Sequence, residues 1–164
     1  MAQDLAEVVA GLAGSLAARG DMLATAESCT GGWVAKVCTD LAGSSAWFER
    51  GFVTYSNAAK QEMLGVSADT LARFGAVSEQ TVLEMVDGAL AHSRARWALA
   101  VSGVAGPGGG TADKPVGSVW FAWAGPDAWR LARRCQFDGD RDAVRYQAVH
   151  TALEVLLQRC GEAR

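Results

Sequence analysis

Leu5, Val8, Val9, Leu12 and Leu16 recur at the spacing of a helix with one buried face, and Gly20 is placed to end it. The apolar run 22–26 predicts a short buried strand, and Val34, Val37, Cys38 and Leu41 mark a second amphipathic helix. Residues 48–55 are rich in aromatic and β-branched types and read as a strand, whereas 57–64 have helical composition. Ser67 or Asp69 is placed to cap a further short helix. Ser78 and Glu79 open a longer one, with Val82, Met85, Val86 and Leu90 inward. Residues 97–101 are continuously apolar, as in a strand covered on both faces. Val119, Phe121 and Trp123 alternate within 117–123, 128–137 is another strand candidate, and Gly125-Pro126-Asp127 between them predicts an antiparallel hairpin. Asp138-Gly139-Asp140 then starts a final helix, with Val144, Ala148, Val149, Leu153 and Leu156 on a broad buried face. The order α-β-α-β-α-β-β-β-α predicts a single α/β domain over 1–164. Its mixed β-sheet is flanked by helices and closes with a C-terminal antiparallel hairpin and a final helix.

Composition narrows the function classes. A chain of 164 residues, half of them hydrophobic and 20% charged, buries a real core. A formal net charge of −3 argues against a general nucleic-acid or anionic-membrane surface, while leaving room for a local basic site. No apolar run reaches the ~18 residues of a membrane span. The acidic, helix-like start, Met1 to Glu7, is not a secretory signal, so a cytoplasmic protein is expected. Cys29, Cys38, Cys135 and Cys160 contain no Cys-x-x-Cys and suggest no zinc site, so free, largely buried thiols are expected. His92 and His150 read as ordinary helix residues. No metal and no cofactor are expected.

Three strand ends carry polar or glycine-rich residues. The turn Glu27-Ser28-Cys29-Thr30-Gly31-Gly32 before a helix is either an anion site at free helix N–H groups or a capped turn. Residues 102–110 hold five glycines and one proline but match neither a phosphate-binding loop with Gly-Lys-Ser/Thr nor a dinucleotide fingerprint. They allow close backbone approach to a ligand, or merely an irregular turn. The third stretch, 43–60, places Ser45, Tyr55 and Lys60 around one strand. Lys60 with a lowered pKa would activate the Ser45 hydroxyl, and Tyr55 would relay a proton. A strand runs straight, so this set needs the Ser44-Ser45 loop to fold back along it. The alternative is a serine turn, a core strand and a solvated lysine. Cys29, at a helix start that would lower a thiol pKa, is a second candidate nucleophile.

Residues 25–32, 43–60 and 102–110, in that order, resemble the CinA C-terminal domain family, which includes stand-alone nicotinamide-nucleotide amidohydrolases. The resemblance covers residues 23–148. It implies that Ser45, Tyr55 and Lys60 are catalytic and that nicotinamide mononucleotide is deamidated to nicotinic acid mononucleotide and ammonia, in pyridine nucleotide salvage. Ser45 would attack the amide carbon, with backbone N–H groups of the Ser44–Ser45 turn holding the oxyanion. Arg141 and Arg145, or the Thr30-Gly31-Gly32 helix start, would take the phosphate. Glu27 and Asn57 would orient the pyridine or ribose, and Ser102 and Gly103 would line the site. The chain departs from the family pattern at Ser102, where threonine is usual, and at Ala42, where proline is common. The implied partner is a pyridine mononucleotide, with no nucleic acid and no membrane, and homo-oligomer assembly is left open. A non-catalytic nucleotide-binding module of the same fold is the alternative function.

Overall fold

The computed structural model describes residues 3–162; Met1, Ala2, Ala163 and Arg164 of the single-domain reading lie outside the described residues. The element order is α1 (Leu5–Arg19), β1 (Leu23–Glu27), α2 (Trp33–Asp40), β2 (Phe48–Val53), α3 (Asn57–Leu64), α4 (Ala68–Phe74), α5 (Glu79–Ala91), β3 (Trp97–Gly103), β4 (Ser118–Gly125), β5 (Trp129–Gln136) and α6 (Arg141–Glu162). The anticipated boundary signals are in place. Gly20 ends α1 in the left-handed conformation (φ 67°), and Ser67 and Ser78 accept backbone N–H bonds at the starts of α4 and α5.

The five strands lie in the order β2-β1-β3-β4-β5. β1 pairs in parallel with β2 and β3, while β3–β4 and β4–β5 are antiparallel, giving the mixed sheet. β3 continues past the apolar run through Ser102 and Gly103, which pair with Trp120 and Val119. A side chain at Gly103 would sit 2.7 Å from Val119 Cγ2, so glycine is what lets the strand extend. The hairpin turn falls at 126–128, with Asp127 and Ala128 at positive φ.

Strand alternation divides large from small side chains. Leu23, Trp97, Leu99, Val101, Phe121 and Trp123 face α1, α2 and α6, whereas Ala24, Ala26, Ala98, Ala100, Ala122 and Ala124 face the α3–α5 layer. The indole N–H groups buried with the large side chains are satisfied: Trp97 donates to Asp21 (3.0 Å) and Trp123 to the Ala152 carbonyl (2.8 Å). The alanine face offers little side-chain bulk, so α5 seats low on it. Gly88 then brings α5 directly against the end of α3, where any Cβ would overlap the Leu64 carbonyl oxygen. The helix carrying Lys60 is thus fixed by backbone contact.

That contact generates a paired expectation. Gly88→Ala should destabilise the domain by about 2 kcal/mol, the overpacking range. Gly14→Ala, at an exposed helical position with nothing within 4 Å of the added methyl, should stabilise it by ~0.5–1 kcal/mol. Urea unfolding of both variants reads the signs; equal effects would contradict the close α3–α5 seat.

Candidate active site

The carboxyl ends of β1, β2 and β3 meet at one corner, where ligand sites of open α/β sheets form. Backbone bonds stitch the chain there on both sides: Ser28 N–H donates to Val101 (3.0 Å), and Thr54 N–H to Glu27 (2.8 Å). Ser56 caps α3 immediately after β2, accepting from Ala59 N–H at 3.0 Å. The helix therefore starts at once and its first turn drives Lys60 inward.

Lys60 is 1% exposed. Its Nζ lies 2.9 Å from Ser28 Oγ, 2.8 Å from the Thr54 carbonyl oxygen and 3.1 Å from that of Tyr55. Burial pulls its pKa down to about 8, with nearby Cys29 a smaller opposing influence. A neutral amine has two N–H groups and one lone pair. As an ammonium, Nζ donates to all three oxygens, and Ser28 Oγ donates to the Tyr55 carbonyl at 3.4 Å. Once the amine is neutral, its N–H groups can stay on the two carbonyls and its lone pair can accept the Ser28 hydroxyl proton. This is the relation of a general base to a nucleophile.

Cys29 is not suited to the same role. Burial pushes its thiol up to about 11, although its own backbone amide, Arg145 and the Gly103 amide all favour the thiolate. It stays protonated at neutral pH, and the nucleophilic-cysteine reading loses its basis.

Glu27 is fully buried and turned away from the cleft. It accepts from the Thr30 hydroxyl (2.6 Å), Val34 N–H (2.8 Å) and Ala35 N–H (3.1 Å). Its carboxylate occupies the start of α2, where a substrate phosphate was one expectation. Arg145 closes the same turn from outside, donating to the carbonyls of Cys29 (3.0 Å) and Thr30 (3.2 Å) with its guanidinium over Trp33. Glu27, Thr30, Gly31, Gly32 and Arg145 therefore build the turn that presents Ser28. For Glu27, the Thr30 hydroxyl and Arg145, contacts within the protein stand where substrate contacts are expected.

Arg141 stands at the cleft mouth, donating to the Gly106 carbonyl (2.7 Å) and the Tyr55 hydroxyl (3.3 Å). The cleft holds about 210 Å³, and Tyr55, Lys60, Ser102, Gly103 and Arg141 all line it beside Ser28. Ala76 and Val77, before α5, supply an apolar wall that the sequence did not mark.

A family model described as "CinA C-terminal domain" matches residues 4–160. The chain belongs to the CinA C-terminal domain family. It is 61% identical over 145 residues to "Nicotinamide-nucleotide amidohydrolase PncC" of Escherichia coli (strain K12), covering 88% of each chain. The protein of the same name from Pseudomonas putida is 58% identical over 134 residues, 82% of this chain and 83% of that one. Among solved structures, "competence damage-inducible protein A (ComA)" of Klebsiella pneumoniae superposes with a TM-score of 0.94 at 42% identity, over 99% of this chain and 100% of the other. The single mixed α/β sheet is thus the architecture of CinA relatives.

Within this CinA domain the expected fold-back of the serine loop does not occur. Ser44 and Ser45 form a 3-10 turn before β2, and Trp47 and Phe48 pair with the start of β1 at Leu23. Tyr55 lies beyond the opposite end, past the Val53–Glu27 pair. Six strand residues, about 20 Å at the usual rise, separate exposed Ser45 from Lys60. The Ser44–Ser45 amides are equally remote from the cleft. Asn57 is exposed on the first turn of α3 and is not among the lining residues. Among the described residues no His/Cys/Asp/Glu group could hold a metal, and no helix is long and apolar enough to cross a membrane. All four cysteines are free.

The buried amine is directly observable. NMR of [ε-13C]lysine-labelled protein should show one resonance, lost in Lys60→Met, titrating near pH 8. A Lys60 signal that titrates only in the ordinary lysine range, ~10.4, would contradict the desolvated site.

Proposed function

We propose that this chain is a nicotinamide-nucleotide amidohydrolase whose nucleophile is Ser28 and whose base is Lys60. The carrying observation is the 2.9 Å contact between Lys60 Nζ and Ser28 Oγ in a site that lowers the lysine pKa. The printed names of relatives at 58–61% identity supply the substrate class.

Ser28 Oγ attacks the carboxamide carbon of nicotinamide mononucleotide while Lys60 takes its proton. The resulting ammonium returns that proton to the amide nitrogen as the C–N bond breaks, and ammonia leaves. The Ser28 ester is then attacked by water, whose proton passes to Lys60, and nicotinic acid mononucleotide departs with Ser28 restored. Ser28 replaces Ser45 in this scheme because only Ser28 reaches the base. Tyr55 contributes twice. Its carbonyl orients Lys60, and its phenol joins Arg141 at the mouth, where the guanidinium receives the 5′-phosphate. Returning the product to pyridine nucleotide synthesis is the corresponding physiological role.

Ser28→Ala should lower kcat by ~10³-fold or more with mononucleotide binding retained, whereas Ser45→Ala should stay near wild type. An ammonia-release assay with calorimetric binding separates the two; an active Ser28→Ala overturns the assignment. Wild type that binds the mononucleotide tightly without turnover would make the chain a binding module.

The pH profile has a definite sign. The working form of Lys60 is neutral, so kcat should rise as pH passes through about 8 and then level off. A rate that falls across that interval would exclude a neutral-lysine base.

A further inference from the structure

A second cluster of cations lies at the other end of the sheet, outside the catalytic cleft. Trp129, Leu131 and Arg133 of edge strand β5 face the C-terminal half of α6 across a groove of about 220 Å³, with Gln158, Arg159 and Glu162 on its helical wall. Trp129 pairs with Gly125, at the Ala98 end of β3, whereas the cleft lies beyond the Gly103 end.

The two arginines are held in an uncommon way. The Arg159 guanidinium lies 4.8 Å over the Trp129 ring, and that of Arg133 lies 5.8 Å over Trp123. A cation held over a ring face is attracted to the ring without a hydrogen bond, and among the described residues neither guanidinium donates a hydrogen bond. Among the described residues neither arginine has a carboxylate partner. The neighbouring arginines of the strand are engaged: Arg130 pairs with Asp87 at 2.7 Å, and Arg134 donates to the Asp113 carbonyl. Arg159 Nε is fully buried with no hydrogen-bond partner. A buried donor of that kind is unfavourable, so the exposed part of this guanidinium is where an acceptor would offset it. Among the described residues lining the groove, Glu162 is the one acid against two guanidiniums, so that lining carries a net positive charge.

We propose that this groove is a second anion site for a phosphate group, received between the N–H edges of Arg133 and Arg159, with Gln158 as a neutral donor. Paired guanidinium forks match phosphate oxygens, and the volume admits inorganic phosphate or the phosphate end of a larger ester. The site shares no residue with the catalytic cleft and does not depend on the catalytic reading.

The test is 15N NMR of the Arg159 Nε–H and Trp129 indole N–H, titrated with inorganic phosphate at constant ionic strength set by chloride. Both signals should shift saturably in wild type and in Arg141→Gln, which is altered only at the cleft. Arg133→Gln should weaken binding about tenfold, the loss of one charge-assisted contact, and Glu162→Gln should tighten it severalfold. A parallel titration with adenosine monophosphate identifies the source: equal affinity marks free phosphate, tighter binding a phosphate ester. A linear, unsaturated shift, or the same affinity in wild type, Arg133→Gln and Glu162→Gln, overturns the proposal.

Discussion

An amine removed from water is stable only if something replaces the lost hydration, and here that role falls to the main chain. The carbonyls of Thr54 and Tyr55 and the hydroxyl oxygen of Ser28 accept from the Lys60 amine. Much of the surrounding architecture bears on keeping these atoms in register. The Ser56 cap starts α3 without a linker. Glu27 fills the beginning of α2 and fixes the turn after β1. Arg145 clamps that turn from the last helix. A cation within the protein thus leans on outer carbonyls of the Ser28 turn, while the amine within the cleft faces the serine hydroxyl.

The asymmetry of the sheet serves the same end. Bulky side chains fill one face and alanines the other. On the alanine side α5 and α3 meet through Gly88, so the helix bearing Lys60 rests on backbone rather than on side chains free to change rotamer.

Much of this was legible in the sequence. Helical periodicity, capping serines and the apolar run at 97–101 predict the element order, and the polar and glycine-rich strand ends at Glu27, Tyr55 and Ser102 mark the corner where the cleft forms. Ser45 was misplaced for a physical reason. Its spacing to Tyr55 and Lys60 is a distance along the chain, and an extended strand converts that distance into separation. Ser28 lies 32 residues from Lys60, yet β1 and β2 are parallel neighbours, so their ends lie side by side. Pairing partners are what periodicity leaves open. Glu27 was misread because a buried carboxylate looks the same in sequence whether it meets a ligand or a helix start.

Holding the base by carbonyls has a consequence for how this site tolerates change. A carbonyl is present whatever side chain occupies the position, so no ordinary substitution at residue 54 or 55 deletes the groups that orient the amine. The exposed phenol of Tyr55 is thereby released from duty toward Lys60. In the proposed mechanism the same residue gives its backbone carbonyl to Lys60 and its side chain to whatever arrives at the entrance, so recognition there is free to diverge while the Ser28–Lys60 contact behind it stays as it is.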